Sequence, residues 1–181
     1  MGWYKGLSRR EFVRMAATAV VASGAASCSR VKAPWRFLTI EEARTLATFC
    51  EQLIPTDETP GAAWAGVVNY IDTQLCGPYQ HLREAYRGGV ADLERACRQL
   101  YGKRFAEIAD EQQLVLLRAP EKGEVAQRDW PTAAQKSFFE MVRTHTMQGF
   151  YGDPRHGGNR DRVSWKMVGL NYPPVRGQQR Y

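Results

Sequence analysis

The 181-residue sequence predicts an all-α fold: an irregular helical bundle with a glycine-rich C-terminal loop and an extended tail, preceded by a cleavable signal segment. Three observations predict it. Apolar side chains recur at i, i+3 and i+4 in successive windows. No window alternates apolar with polar residues as a half-buried strand does. Residues that start or stop helices stand at the edges of the periodic stretches. Residues 1–28 read as the signal and residues 29–181 as one helical domain, long enough for a single hydrophobic core.

The first element is a targeting segment. Ser8-Arg9-Arg10-Glu11-Phe12-Val13-Arg14 precedes a small-residue apolar stretch from Met15 to Ala26, 12 positions long. A bilayer span needs roughly 20, so the stretch reads as the h-region of a secretory signal. Ser8, the arginine pair Arg9 and Arg10, and Phe12 resemble the bacterial twin-arginine export signal, which makes the twin-arginine translocase a partner and the periplasm the destination. A basic surface helix is the plainer reading, but it leaves the order of these features unexplained. Two cleavage modes compete: a lipoprotein box in Ala25-Ala26-Ser27-Cys28, with Cys28 acylated, and plain cleavage near Ser23 to Ser27.

Beyond the signal, Thr39 and Glu42 form a predicted capping box, and Ile40, Ala43, Leu46, Ala47, Cys50 and Leu53 fall on one helical face before Pro55. Thr56 to Thr59 is a loop. Trp64, Val67, Val68, Ile71 and Leu75 mark a second helix that ends near Gly77-Pro78. The longest periodic run follows, from Leu82 through Leu93 and Cys97 to Leu100, with Gly102 as its stop. Asp110 to Gln113 opens a short helix through Leu117 that Ala119-Pro120 is expected to end. Glu121 to Trp130 reads as a polar surface loop. Pro131-Thr132 opens the last long helix, through Phe138, Phe139 and Val142 to His145. Tyr172-Pro173-Pro174-Val175-Arg176-Gly177 is an extended tail.

Charge and cysteine content narrow the function classes. The first 28 residues carry four basic residues against one acidic, and Val142 to Tyr181 seven Lys or Arg against two Asp, which leaves a mildly acidic middle. No element carries the dense Lys/Arg stripe of a nucleic-acid binder. Cys50, Cys76 and Cys97 allow one disulfide in an oxidising compartment and leave one thiol over, while a cysteine on an apolar helical stripe is also simply core. CxxC, CxxCH, HExxH, Gly-x-Ser-x-Gly, Walker and GxGxxG patterns are all missing, so no cofactor is expected in this chain.

The residues from Thr144 to Leu170 are the least ordinary. They hold five glycines, one proline, two histidines, three arginines and three aromatics. Such a loop presents side chains in a fixed array, and aromatics with arginine are the composition of interface anchors. Phe150, Tyr151, Asp153, Arg155, His156, Asn159, Arg160, Asp161, Trp165 and Lys166 are accordingly expected to face a partner. The plainer reading is a pinned turn whose arginines and aspartates pair with each other. Of the three histidines, His81 reads as a surface or capping residue and His145 as a satisfied core residue. His156, between Asp153 and Asp161, leaves a small exported enzyme with a His/Asp or metal site as the alternative function.

Twin-arginine export carries folded proteins, typically with a cofactor already loaded, and this chain shows no cofactor motif. A cofactor-bearing partner that travels with it resolves the mismatch.

Several blocks stand out along the chain: Phe37-Leu38-Thr39 with Glu41-Glu42, Leu53-Ile54-Pro55-Thr56-Asp57 with Pro60-Gly61-Ala62, Gly66-Val67-Val68 with Tyr70-Ile71-Asp72, and Gly77-Pro78-Tyr79. The longest is Thr144 to Gly158 with Asn159-Arg160 and Trp165-Lys166. In these blocks the sequence resembles the gluconate 2-dehydrogenase subunit 3 family, the small or gamma subunits of bacterial FAD-dependent sugar dehydrogenases. The resemblance implies a non-catalytic subunit that helps mature and export a large FAD-containing oxidoreductase of the glucose-methanol-choline type. That enzyme is often joined by a cytochrome c subunit, which carries haem c. The resemblance transfers no catalytic residue.

Overall fold

The Thr39 hydroxyl accepts the Glu42 N–H at 3.2 Å while the Glu42 carboxylate accepts the Thr39 N–H at 2.8 Å, so the first helix begins where the sequence places its capping box. The computed structural model describes residues 35–126 and 130–170. Ser8, Arg9, Arg10 and Phe12 of the export signal, Cys28, and the tail from Tyr172 to Gly177 lie outside the described residues.

The described helices are α1 (Ile40–Leu53), α2 (Val67–Leu75), α3 (Arg83–Tyr101), α4 (Asp110–Lys122), α5 (Thr132–Tyr151) and α6 (Val163–Met167), with short 3-10 turns between several of them. No strand occurs among the described residues, so the chain is all-α as expected. None of the described helices is long and apolar enough to cross a membrane.

α5 is the element that the others surround. It packs against α1, α2, α3 and α4, and its Phe138 and Phe139 meet the Phe49 ring of α1 at centroid distances of 5.9 and 5.7 Å. Burying one such side chain contributes about 1.5–3 kcal/mol, so the position of α5 is fixed by the core. α3 approaches it closely because residue 89 is glycine: a Cβ there would overlap the Phe138 ring. α3 itself ends as predicted, with Gly102 in the left-handed region and its N–H on the Arg98 carbonyl at 2.9 Å.

The buried Asp72 carboxylate of α2 accepts the backbone N–H groups of Arg36 (2.7 Å), Phe37 (2.9 Å) and Leu38 (2.9 Å), pinning the segment ahead of α1 onto α2. His145 of α5 is a satisfied core histidine: Nδ1 lies 2.7 Å from the Tyr86 hydroxyl, and the ring stacks on Tyr79 at 4.6 Å.

Four expectations need correction. The second helix starts at Val67, because Gly66 (φ 74°) sits in the left-handed region and leaves Trp64 in the preceding turn. Pro120 lies inside α4 rather than ending it. It forfeits the bond that residue 120 would donate to the Leu116 carbonyl, but it is buried and the helix runs on to Lys122, where the N–H of the left-handed cap Gly123 donates to the Pro120 carbonyl at 3.1 Å. Trp130 is buried and packs on Phe138 at 6.2 Å, held by the Gln135 amide, which donates to the Trp130 carbonyl at 2.6 Å. Cys50, Cys76 and Cys97 form no disulfide. Cys50 and Cys97 are part of the apolar core, where burial pushes their thiols up to about 12 and about 11.

Candidate functional site

α5 stops at Tyr151 because Gly152 is extended (φ −73°, ψ −179°) and Pro154 has no N–H to offer a continuing helix. The Asp153 carboxylate accepts the Arg155 N–H at 3.1 Å and pairs with the Arg155 guanidinium at 2.7 Å. The backbone N–H first, and then the guanidinium, hold this carboxyl below its ordinary value. Pro154–His156 makes one 3-10 turn, and Gly157 (φ 103°) reverses the chain.

The chain then runs back over its own helix at van der Waals contact. A Cβ on Gly157 would lie 3.0 Å from the Asn69 carbonyl oxygen, and one on Gly158 would overlap the Gly149 carbonyl. Gly149 in turn lies against the Tyr70 ring. The loop meets the backbones of both α2 and α5, a contact that only glycine permits.

Asn159 locks this arrangement from inside. Its side-chain amide donates to the Gly152 carbonyl at 2.8 Å, and its carbonyl accepts the Ser164 N–H at 3.1 Å, joining the start of the loop to α6. Two further bonds brace it: Arg160 N–H to the Ala65 carbonyl at 3.0 Å, and the Trp165 indole N–H to the Tyr151 carbonyl at 2.8 Å. Asn159, Asp161 and Arg162 all have positive φ (46°, 51° and 58°). Each such residue costs on the order of 1 kcal/mol, so the loop holds its shape against local strain.

Of the residues expected to face a partner, Tyr151, Arg155, His156, Arg160, Asp161 and Lys166 are exposed, and Asp153 and Trp165 are half-buried. Arg160 lies over the Trp64 ring at 5.5 Å. Two expectations fail. Phe150 is fully buried, because it follows Val142 and Thr146 at helical spacing on the core face of α5. Asn159 is also fully buried, as the clasp described above. Neither reaches a partner in this conformation.

Sequence reasoning passed over Met147, Met167, Val168 and Leu170, which are 46–60% exposed and stand within five residues of Tyr151 or Trp165 in the chain. Met147 lies one turn before Tyr151 and off the core stripe, a signal the periodicity contained. Val168 and Leu170 follow α6, a helix too short to show a period. Among the described residues no group of three or more His, Cys, Asp or Glu stands where a metal ion could be held. His156 is exposed on its turn, while the nearby Asp153 carboxylate is engaged by Arg155.

Fold and loop together define a small all-α protein with a braced loop that carries exposed aromatic and basic side chains. Residues 40–171 match the family model described as gluconate 2-dehydrogenase subunit 3, and the chain belongs to that family. The resemblance read from the sequence is borne out, and the family name makes the chain an accessory subunit of a dehydrogenase complex. No curated protein and no solved structure matches it at significant similarity.

Proposed function

We propose that this chain is a non-catalytic small subunit that binds, helps mature and co-exports a large FAD-dependent sugar or sugar-acid dehydrogenase of the glucose-methanol-choline type. FAD resides in that large subunit and haem c in a cytochrome subunit, and the complex works in the periplasm. Arg9 and Arg10 supply the export signal for both chains, with Cys28 as a candidate lipid anchor.

Family membership over residues 40–171 supports this reading, and the braced loop at the end of α5 suits docking. A loop held in one strained conformation has little entropy left to lose on association, so its binding groups act at full strength. The test is co-expression with a large FAD-dependent dehydrogenase subunit from the same genome. A stable yellow complex is expected, and a lone chain that binds stoichiometric metal and turns over substrate would overturn the reading.

A further inference from the structure

The exposed apolar residues of the described chain are not evenly spread. Met147 and Tyr151 are one turn apart on the outer face of α5. Trp165 joins them through its indole bond to the Tyr151 carbonyl. Met167, Val168 and Leu170 follow, the last tied back by its N–H to the Trp165 carbonyl at 2.8 Å. These six residues lie at the end of α5 and in or just after α6, five of them exposed and Trp165 half-buried. Exposed apolar patches of this kind mark interaction sites.

The segment of chain that carries most of them is basic. Between Asp153 and Leu170 the chain carries Arg155, Arg160, Arg162 and Lys166 against Asp153 and Asp161, and Asp153 is already paired with Arg155. An occupant complementary to this surface has an apolar recess with carboxylates around it. An anionic bilayer also offers apolar and negative groups, but a fluid surface requires no fixed shape. Here the shape is fixed by the glycine contacts at positions 157 and 158, the Asn159 clasp and three left-handed residues. A rigid template of that kind fits a partner that is itself rigid.

We infer that the surface formed by Met147, Tyr151, Trp165, Met167, Val168 and Leu170 docks into an acid-rimmed apolar recess on the large catalytic subunit. The inference rests on the proposed function, and it replaces Phe150 and Asn159 as contact residues with side chains that solvent reaches. Met147 and Tyr151 insert, and Lys166 pairs with a carboxylate at the edge.

The test compares full-length chains co-expressed with the large flavoprotein subunit. Tyr151→Ser with Met167→Ser alters the patch. Leu100→Ser with Val115→Ser alters two apolar residues on α3 and α4 that are more exposed still. Circular dichroism and melting of each purified subunit verify that both variants fold. The patch variant should weaken the complex about a hundredfold, as expected for loss of central anchors, while the control stays within about threefold of wild type. Lys166→Glu should weaken it further and make binding less sensitive to salt. A folded patch variant that binds as tightly as wild type overturns the inference and leaves the subunit reading standing. A wild-type chain that fails to bind the flavoprotein at all removes both. Vesicles with a third of anionic lipid serve as the competing surface: patch-dependent binding to them, with the protein complex unaffected by the same substitutions, also overturns it.

Discussion

Gly158 lies so close over Gly149 that a single Cβ on it would overlap the Gly149 carbonyl. The obstacle is backbone, which cannot swing aside as a side chain can. Gly158→Ala is expected to destabilise the domain by about 2–3 kcal/mol, the upper part of the usual range of about 1–3 kcal/mol for forced overpacking. Gly88→Ala on α3 meets no atom within 4 Å and is expected to stabilise slightly, by about 0.5 kcal/mol. Urea unfolding of the two variants checks the contrast. Equal midpoints would mean that the loop is not seated on α5.

Asn159 serves as a clasp, so its replacement acts on the loop before it acts on the bundle. In Asn159→Ala the Gly152 carbonyl and the Ser164 N–H lose their partners, and alanine is strained at φ 46°. Together these cost about 2–4 kcal/mol. Asn159→Gly relieves the backbone strain and is expected to fall between alanine and wild type. Hydrogen exchange should accelerate across residues 152–165 in both variants while α1 to α4 stay protected. Uniform acceleration throughout the chain would assign Asn159 to the global core instead.

His145 gives the domain a pH dependence of predictable sign. Burial holds its imidazole below the ordinary value of 6.5, so as pH falls the unfolded chain takes up the proton first. Stability attributable to this group is complete above about pH 6.5 and declines below it, by at most about 1.4 kcal/mol per pH unit, until the folded-state value is passed. Asp57 and Asp153 are both held below 3.8 and titrate outside this window. Urea unfolding at pH 7.5 and 5.5 should show a larger loss for wild type than for His145→Gln. Matching losses would remove His145 as the cause.

On the co-export reading, Arg9→Lys with Arg10→Lys strands the large subunit in the cytoplasm although neither change touches it. Fractionation followed by dehydrogenase assay should show periplasmic activity falling at least tenfold. Unchanged periplasmic activity would separate export of the enzyme from this chain.

Much of the architecture is legible in the sequence because helices announce themselves locally. Thr39 and Glu42 mark a start, Gly102 a stop, and the run from Leu82 to Leu100 a buried face, each through interactions spanning a few residues. Pro120 and Trp130 were misread for the opposite reason. Pro120 is buried against the core, which offsets the N–H it lacks, and Trp130 is internal because Gln135 on the next helix holds its carbonyl.

The same division runs through the loop at the end of α5. The sequence by itself determined that this segment is unlike the helices before it, that it is rich in glycine, arginine and aromatic residues, and which family carries it. Which side chains it shows to solvent was decided only by the tertiary structure. Phe150 and Tyr151 are adjacent aromatics of similar composition value, yet the helix turns one into the core and the other outward by about 100°. Asn159 reads as one more polar loop residue until Gly152 and Ser164, seven and five positions away, close around it. Periodicity reports which residues want burial. Only the packing of α5 against its neighbours determines which polar groups must turn inward to hold the loop in place.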